Sequence, residues 1–329
     1  MWNRGFRLSP GMRDERALGT LQRGLGSGAD FGFLIGIMRP TLDEPYLRGL
    51  IADYFGGGSR LRILRPTATF GAPVFVVDFD RGARHYRTLG SFGPSFGATD
   101  PDAPQLTEQS SMDLLYPATL VFHYERLMSL AFALCERPLT ALLLGVGGAA
   151  MWRFMRAYVP ECAATLVDAD EGVVTIARRW FHLGQPVVID TAQRFLAGNT
   201  RRFDAVLVDL YDARGPAPFD EAFWTRCLGA LTPGGCLATN WADFATNTAV
   251  RQMAEAQSRV AQSRGFSPYY VTRYGFRDNL VQFLPTGGDR RPEAIAGALE
   301  RFARDRRLPD RGRFILDNCL ISEGFPIEI

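Results

Sequence analysis

Three apolar runs of this chain end in an aspartate. Asp168 closes the run 165–167, Asp190 the run 187–189 and Asp209 the run 205–208, with Asp212 three residues further on. Carboxylates as close as Asp209 and Asp212 raise each other's proton affinity and favour a cationic guest. They suit removal of a proton from an ammonium group, so that its nitrogen can attack. The string that holds them, Asp209-Leu210-Tyr211-Asp212-Ala213-Arg214-Gly215-Pro216, equally has the composition of a plain turn. A fourth apolar run, 140–144, ends in Gly145-Val146-Gly147-Gly148. Glycines there let the backbone turn sharply and bring a ligand up to the N-terminus of the next helix. Asp168 stands twenty-one residues after Gly147, the spacing at which an acidic strand tip accepts both hydroxyls of a ribose. Asp168 or Asp170 could also cap a helix beginning near Glu171. Asp190 is placed to accept from an exocyclic amine of adenine, or is another surface strand end. Glycine turn and Asp168 together point to nucleoside binding.

Other chemistries are excluded. All 37 basic residues are arginine, so no mechanism needing a lysine nucleophile, a pyridoxal-phosphate anchor or a Walker lysine applies. Gly93-Pro94-Ser95-Phe96-Gly97 matches the nucleophile-elbow string, but the Ala-Thr-Asp-Pro-Asp-Ala-Pro that follows cannot start the helix an elbow requires. The five cysteines are widely spaced with no C-x-x-C, and His85, His123 and His182 are scattered, so neither a disulfide framework nor a metal site is expected. A formal charge of +2 gives no reason to expect nucleic acid as a partner. The start, MWNRGFRLSPGMRDER, is polar, and the apolar stretch 31–38 is too short for a bilayer. These features lead us to expect a cytoplasmic protein with no membrane partner.

The elements that must position these residues form two regions. Residues 1–116 are expected to hold a small β-rich domain. It has a helix over 46–55 with Leu47, Leu50, Ile51 and Tyr54 on one face, strands at 72–79 and 85–89, and a loop from Gly90 to Pro104. Residues 117–329 read as an alternating α/β domain. A helix at 120–134 precedes strands at 140–144, 165–167, 187–189, 205–208 and 236–239, with helices at 151–158, 173–181 and 221–231 between them. Apolar strands alternating with helices mark a parallel sheet covered on both faces. Residues 269–274 and 280–284 are expected to pair as a hairpin.

From about Gln105 to Leu284 the chain resembles the aminopropyltransferases, the spermidine and spermine synthases. Val208-Asp209-Leu-Tyr-Asp212-Ala-Arg-Gly215-Pro216-Ala217 is similar to the D-x-x-D-P-x-G-P-A loop of that family, and Val-Asp168-Ala-Asp170-Glu171 to its acidic ribose-binding strand end. Ile189-Asp190 with Phe195-Leu196 resembles its adenine-contacting segment, Thr232-Pro233-Gly234-Gly235 follows at the family's interval, and Gln105-Leu-Thr-Glu108 is similar to its Q-x-T-E stretch.

The resemblance implies a Rossmann-like, class I methyltransferase-type sheet behind a small β-rich N-terminal domain, assembled as a homodimer or homotetramer. It implies decarboxylated S-adenosylmethionine as co-substrate, bound by Gln105, Gly145, Gly147, Asp168 and Asp190. Asp212 is then the base and amine anchor with Asp209 beside it, and Tyr124 (or His123) and Tyr274 contact the amine. The chain departs from the pattern at the glycine motif. There Gly148 stands in place of the family's aspartate, removing a carboxylate from the amine end of the co-substrate, where Glu108 is a further carboxylate to consider. The stretch from Glu108 to His123 is also longer. A methyltransferase using intact S-adenosylmethionine and a catalytically silent homologue are the alternatives.

Overall fold

The structure, a computed structural model, describes residues 44–66, 73–94, 104–135, 137–210, 219–242, 244–245, 247–273, 279–287, 292–308 and 319–322. Two sheets organise them. The first is a four-stranded antiparallel meander of β1 (Arg60–Pro66), β2 (Pro73–Arg81), β3 (Arg84–Pro94) and β4 (Pro104–Asp113), in that order. Strand alternation gives it two apolar faces. Phe75, Val77, Phe79 and Phe92 point to one side, and Leu47, Ile51 and Phe55 of α1 (Glu44–Phe55) are buried there, with the Phe55 ring against Phe75 and Phe79. Val74, Val76, Leu89 and Met112 point to the other side and pack on Val173, Ile176 and Phe181.

The second sheet has eight strands. The parallel part is β5 (Thr140–Leu144), β6 (Ala163–Asp168), β7 (Val187–Ile189), β8 (Phe203–Val208) and β9 (Leu231–Ala242). Beyond β9 lie β11 (Asn279–Pro285), β10 (Tyr269–Arg273) and β12 (Cys319–Ser322), for a spatial order β12-β10-β11-β9-β8-β5-β6-β7. The chain moves outward from β5 to β6 and β7, then returns to the other side of β5 with β8. That reversal opens a crevice outside the carboxyl ends of β5 and β8, the usual ligand position in open α/β sheets. One face is covered by α2 (His123–Ser129), α3 (Ala131–Leu134), α4 (Ala150–Tyr158) and α9 (Pro292–Asp305); the other by α6 (Ala192–Gly198), α7 (Glu221–Gly229) and α8 (Thr248–Ser263). Between the sheets, α5 (Glu171–Trp180) buries Val174 and Ala177 against the second sheet and Val173 and Ile176 against the first. Caps fix where the helices begin: Asp170 accepts from Gly172 and Val173 N–H, Thr191 from Arg194, Asp220 from Phe223 and Asn247 from Ala249 and Val250.

The expected Rossmann-like sheet with a β-rich N-terminal region is present, and so is the hairpin, with Tyr269 opposite Phe283. Two local expectations fail. Residues 90–94 and 104 are not loop, because β3 and β4 extend through them and pair Gly90 with Glu108 and Gly93 with Gln105. The polar β4 and the arginine-studded β1 carry little apolar signal of their own, and pairing decides them. The helix expected over 120–134 divides at Leu130, where the Ser129 hydroxyl donates to the Arg126 carbonyl and competes with the backbone ladder.

Candidate functional site

The glycine turn between β5 and α4 is built for close approach. Gly145 has φ 91° and Gly147 φ 48°, left-handed values that suit glycine. A Cβ on Gly145 would lie 2.0 Å from the Asp209 carbonyl oxygen, so any side chain there would push β8 away. Asp168, at the tip of β6, holds this turn. Its Oδ2 accepts from Val146 N–H at 2.8 Å and Gly147 N–H at 3.4 Å, and its Oδ1 from Asp170 N–H at 2.9 Å. Burial raises its carboxyl above the usual range, against the pull of these three donors. A carboxylate offers about four acceptor positions, so room for ribose hydroxyls remains, though less than a free strand-end aspartate would give. Asp170 is the helix cap, which leaves Asp168 to the turn.

Asp190 adjoins Asp168, its N–H bonded to the Asp168 carbonyl at 3.1 Å. Its carboxylate accepts from Thr191 N–H at 2.8 Å and pairs with Arg194 at 3.2 Å. Gln105 lies on β4 opposite Gly93, with its side chain outside the described residues. Asp212 and Tyr274 also lie outside them.

Asp209 leaves the end of β8 at the crevice, its N–H donating to the Leu144 carbonyl at 2.9 Å. Asp209 is exposed at the carboxyl edge of the sheet, with protein packed closely around its carboxylate. Asn240 Nδ2, at the end of β9, donates to Asp209 Oδ1 at 2.9 Å, and the Tyr124 hydroxyl hydrogen-bonds its carboxylate. Burial raises the Asp209 carboxyl; the two donors oppose it. Tyr124 is held well above the ordinary phenol range by burial and by the charges of Asp209 and Glu125, so it stays a neutral donor. The Tyr124 hydroxyl also reaches the Gln109 carbonyl at 3.3 Å. Gln109 is the extra residue where the β3–β4 register shifts, a bulge whose carbonyl the Tyr124 hydroxyl meets.

Gly148 is closed off by a neighbour. Its φ is not left-handed, but a Cβ there would come within 2.7 Å of Ser110 Cβ and Oγ on β4. No side chain fits unless β4 moves, so the family's aspartate has no room in this fold. Glu108 does not replace it: it accepts from Tyr54 at 3.2 Å and Thr88 at 3.4 Å on the α1 side of the first sheet, away from Ser110 and the glycine turn.

Several residues of the site escaped sequence reasoning. Glu125, next to Tyr124, is buried, and its Oε2 accepts from Phe122 N–H at 3.1 Å. Burial drives its carboxyl up to about 8, with Asp209 adding to the rise and Arg153 and Arg126 opposing it. Arg153, equally buried, donates to the carbonyls of Pro117 (2.7 Å), Phe181 (3.0 Å) and Gly148, tying the approach to α2 and the end of α5 to the glycine turn. Asn240 and Asn279 complete the crevice edge. Applying the carboxyl-end rule to β9, as it was applied to the other strands, singles out Asn240; the arginine among apolar residues at helical spacing marks Arg153. Among the described residues there is no His, Cys, Asp or Glu group able to hold a metal ion, and no helix long and apolar enough to cross a membrane.

Comparison with known proteins bears on this geometry. The spermine/spermidine synthase domain profile matches residues 121–288. A polyamine aminopropyltransferase of Chromobacterium violaceum is 35% identical over 145 residues, covering 41% of this chain and 54% of the relative. The chain thus spans about half the length of the curated relatives it matches. A spermidine synthase structure from Thermotoga maritima superposes with a TM-score of 0.56 at 16% identity, covering 79% of this chain and 84% of that one. A probable spermidine synthase from Corynebacterium glutamicum gives 0.54 at 17%, covering 74% and 89%. Likeness at that level of identity speaks for the fold.

Proposed function

We propose that this chain, which belongs to the spermine/spermidine synthase domain family, transfers an aminopropyl group from decarboxylated S-adenosylmethionine to a di- or polyamine. The observation that carries the reading is Asp209, an exposed carboxylate at the carboxyl edge of the sheet, held by Tyr124 and Asn240, whose backbone carbonyl packs against the glycine turn. A nucleoside on that turn, near Asp168 and Asp190, would bring its sulfonium end toward Asp209. An amine entering the same crevice is a second cation. A fixed carboxylate between the two offsets their repulsion and orients them, and orientation supplies much of the rate.

Asp209 accepts a proton from the amine's ammonium and frees the lone pair. The nitrogen attacks the carbon beside sulfur, the carbon–sulfur bond breaks with its electrons passing to sulfur, and methylthioadenosine leaves neutral. The positive charge ends on the new secondary ammonium, and the proton on Asp209 returns to solvent. Sequence reasoning places the base at Asp212, which lies outside the described residues; the contacts around Asp209 support giving Asp209 that role. The co-substrate set of Gln105, Gly145, Gly147, Asp168 and Asp190, the amine contacts of Tyr124 and Tyr274, a domain boundary near residue 116, a homodimer or homotetramer and a cytoplasmic setting complete the proposal by resemblance.

Gly148 favours a second reading. With no carboxylate and no space for one, the amine end discriminates less against the carboxylate of intact S-adenosylmethionine, which a methyltransferase would use. The test is to incubate the protein with each co-substrate and a panel of diamines and follow products by mass spectrometry. An amine one aminopropyl unit heavier, together with methylthioadenosine, is expected. Methylated acceptor from intact S-adenosylmethionine alone would replace the reading, and no turnover with either would leave a silent homologue.

A further inference from the structure

Asp209 needs a donor that cannot turn over. A lone asparagine beside a carboxylate can rotate its amide and present oxygen instead of nitrogen. Here Asn279 Nδ2, at the start of β11, donates to Asn240 Oδ1 at 2.9 Å, while Asn240 Nδ2 donates to Asp209 Oδ1 at 2.9 Å. The Asn240 oxygen is thereby committed to β11 and its nitrogen to Asp209. The β9–β11 register creates the arrangement: Asn279 pairs with Ala242 and Asn240 with Val281, so the two amides are diagonal neighbours across the ladder.

We propose that Asn240 and Asn279 are positioning residues for amine transfer, a two-amide relay that keeps the Asp209 carboxylate ionised and turned toward the incoming ammonium. The inference rests on the aminopropyl-transfer reading given above. Among the described residues, the charged and titratable groups facing Asp209 come from other elements. These are Tyr124 and Glu125 of α2, with Arg153 of α4 beyond Glu125. Asp168 of β6 is directed to the glycine turn, and β9 and β11 offer the two amides. Burial pushes the Asp209 carboxyl up, and the hydrogen bonds from Asn240 and Tyr124 pull it back down. Without the Asn240 donor, Asp209 binds its proton at higher pH, and a protonated Asp209 neither attracts an ammonium nor takes its proton. Asn279 acts only through Asn240.

The experiment is the pH dependence of kcat/KM for 1,4-diaminobutane in the wild type, Asn240→Ala, Asn279→Ala and the double variant. It is accompanied by calorimetric titration of 1,4-diaminobutane into each protein saturated with methylthioadenosine. Asn240→Ala should move the acid limb up by about one pH unit, the scale of one hydrogen bond to a charged group. Diamine affinity should fall about tenfold near pH 6 and recover near pH 9. Asn279→Ala should move the limb the same way by less, and the double variant no further than Asn240→Ala alone, since the second amide works through the first. An unmoved acid limb in Asn240→Ala, or an additive double variant, overturns the relay. If the wild type binds the diamine but transfers no aminopropyl group, the functional reading fails while the pH dependence of binding still decides the relay. If no diamine binds at any pH, the relay has nothing to position and falls too.

Discussion

Glu125→Gln offers a direct measurement of what the buried charge beneath the site costs. Glu125 is only 4% exposed, and its carboxyl is raised from an ordinary 4.5 to about 8, chiefly by burial. The folded protein therefore keeps a proton that the unfolded chain gives up, and stability falls as pH rises from about 4.5 to about 8, with no further loss beyond. At about 1.4 kcal/mol per unit, the full window corresponds to about 5 kcal/mol, of which about 3 kcal/mol is lost by pH 7. Rearrangement of Arg153 and entry of water reduce these figures, so about 2 kcal/mol between pH 5 and pH 8.5 is a reasonable expectation. Glutamine fits the test because its carbonyl can still accept from Phe122 N–H, as in a capping box. It also removes the titration without changing the side-chain volume. Its extra N–H donors, set beside Arg153, will change absolute stability, so the readout is the slope. Equilibrium urea unfolding followed by tryptophan fluorescence at several pH values, wild type against Glu125→Gln, gives that slope. Other raised carboxylates, Asp168 and Asp209 among them, contribute equally to both proteins and cancel to first order. Parallel stability curves for the two proteins would refute the reasoning and show that Glu125 ionises without penalty.

Three further outcomes follow from the geometry. Asp168→Ala leaves the Val146 and Gly147 N–H groups without their acceptor, and should weaken methylthioadenosine binding by about 2 kcal/mol in calorimetry while lowering the melting temperature; unchanged values of both would remove Asp168 from the site. Gly148→Ala should destabilise the fold by about 1–3 kcal/mol through overpacking against Ser110, and Ser110→Gly should recover most of that loss in the double variant; a loss that Ser110→Gly leaves intact would place the strain elsewhere. Asp209→Asn should cost more turnover than Asp212→Asn, at least tenfold or about 1.4 kcal/mol, with nucleoside affinity nearly unchanged. The opposite order would return the base to Asp212.

The sequence is most legible where local pattern and burial agree. The runs at 140–144 and 187–189 match β5 and β7 at both ends, because strands buried between helices must be continuously apolar. The aspartates at strand tips could be read for the same reason, since a polar residue ending such a run marks the carboxyl edge. What escapes is set by partners distant along the chain. β4 reads as a polar segment, yet its register with β3 places the Gln109 bulge beneath Tyr124 and Ser110 against Gly148. Asn240 and Asn279 are thirty-nine residues apart and meet only through β9–β11 pairing.

Gly148 shows how the two kinds of information combine. The family resemblance presents it as a lost carboxylate at the amine end of the co-substrate. The backbone there is permissive, and the barrier is a second sheet, with Ser110 of β4 occupying the space a Cβ would need. The substitution and the packing are therefore one feature, because β4 can approach the glycine turn this closely only where the turn carries no side chain. Arg153 strengthens the same joint from below by bonding the Gly148 carbonyl. Negative charge at the amine end must then come from the β8 side, where Asp209 is held by Tyr124 and Asn240, with Glu125 behind it protonated below about pH 8. Under the proposed function, charge held on the β8 side grips the attacking amine more firmly than the co-substrate's amine end, so co-substrate preference is the property that Gly148 should alter.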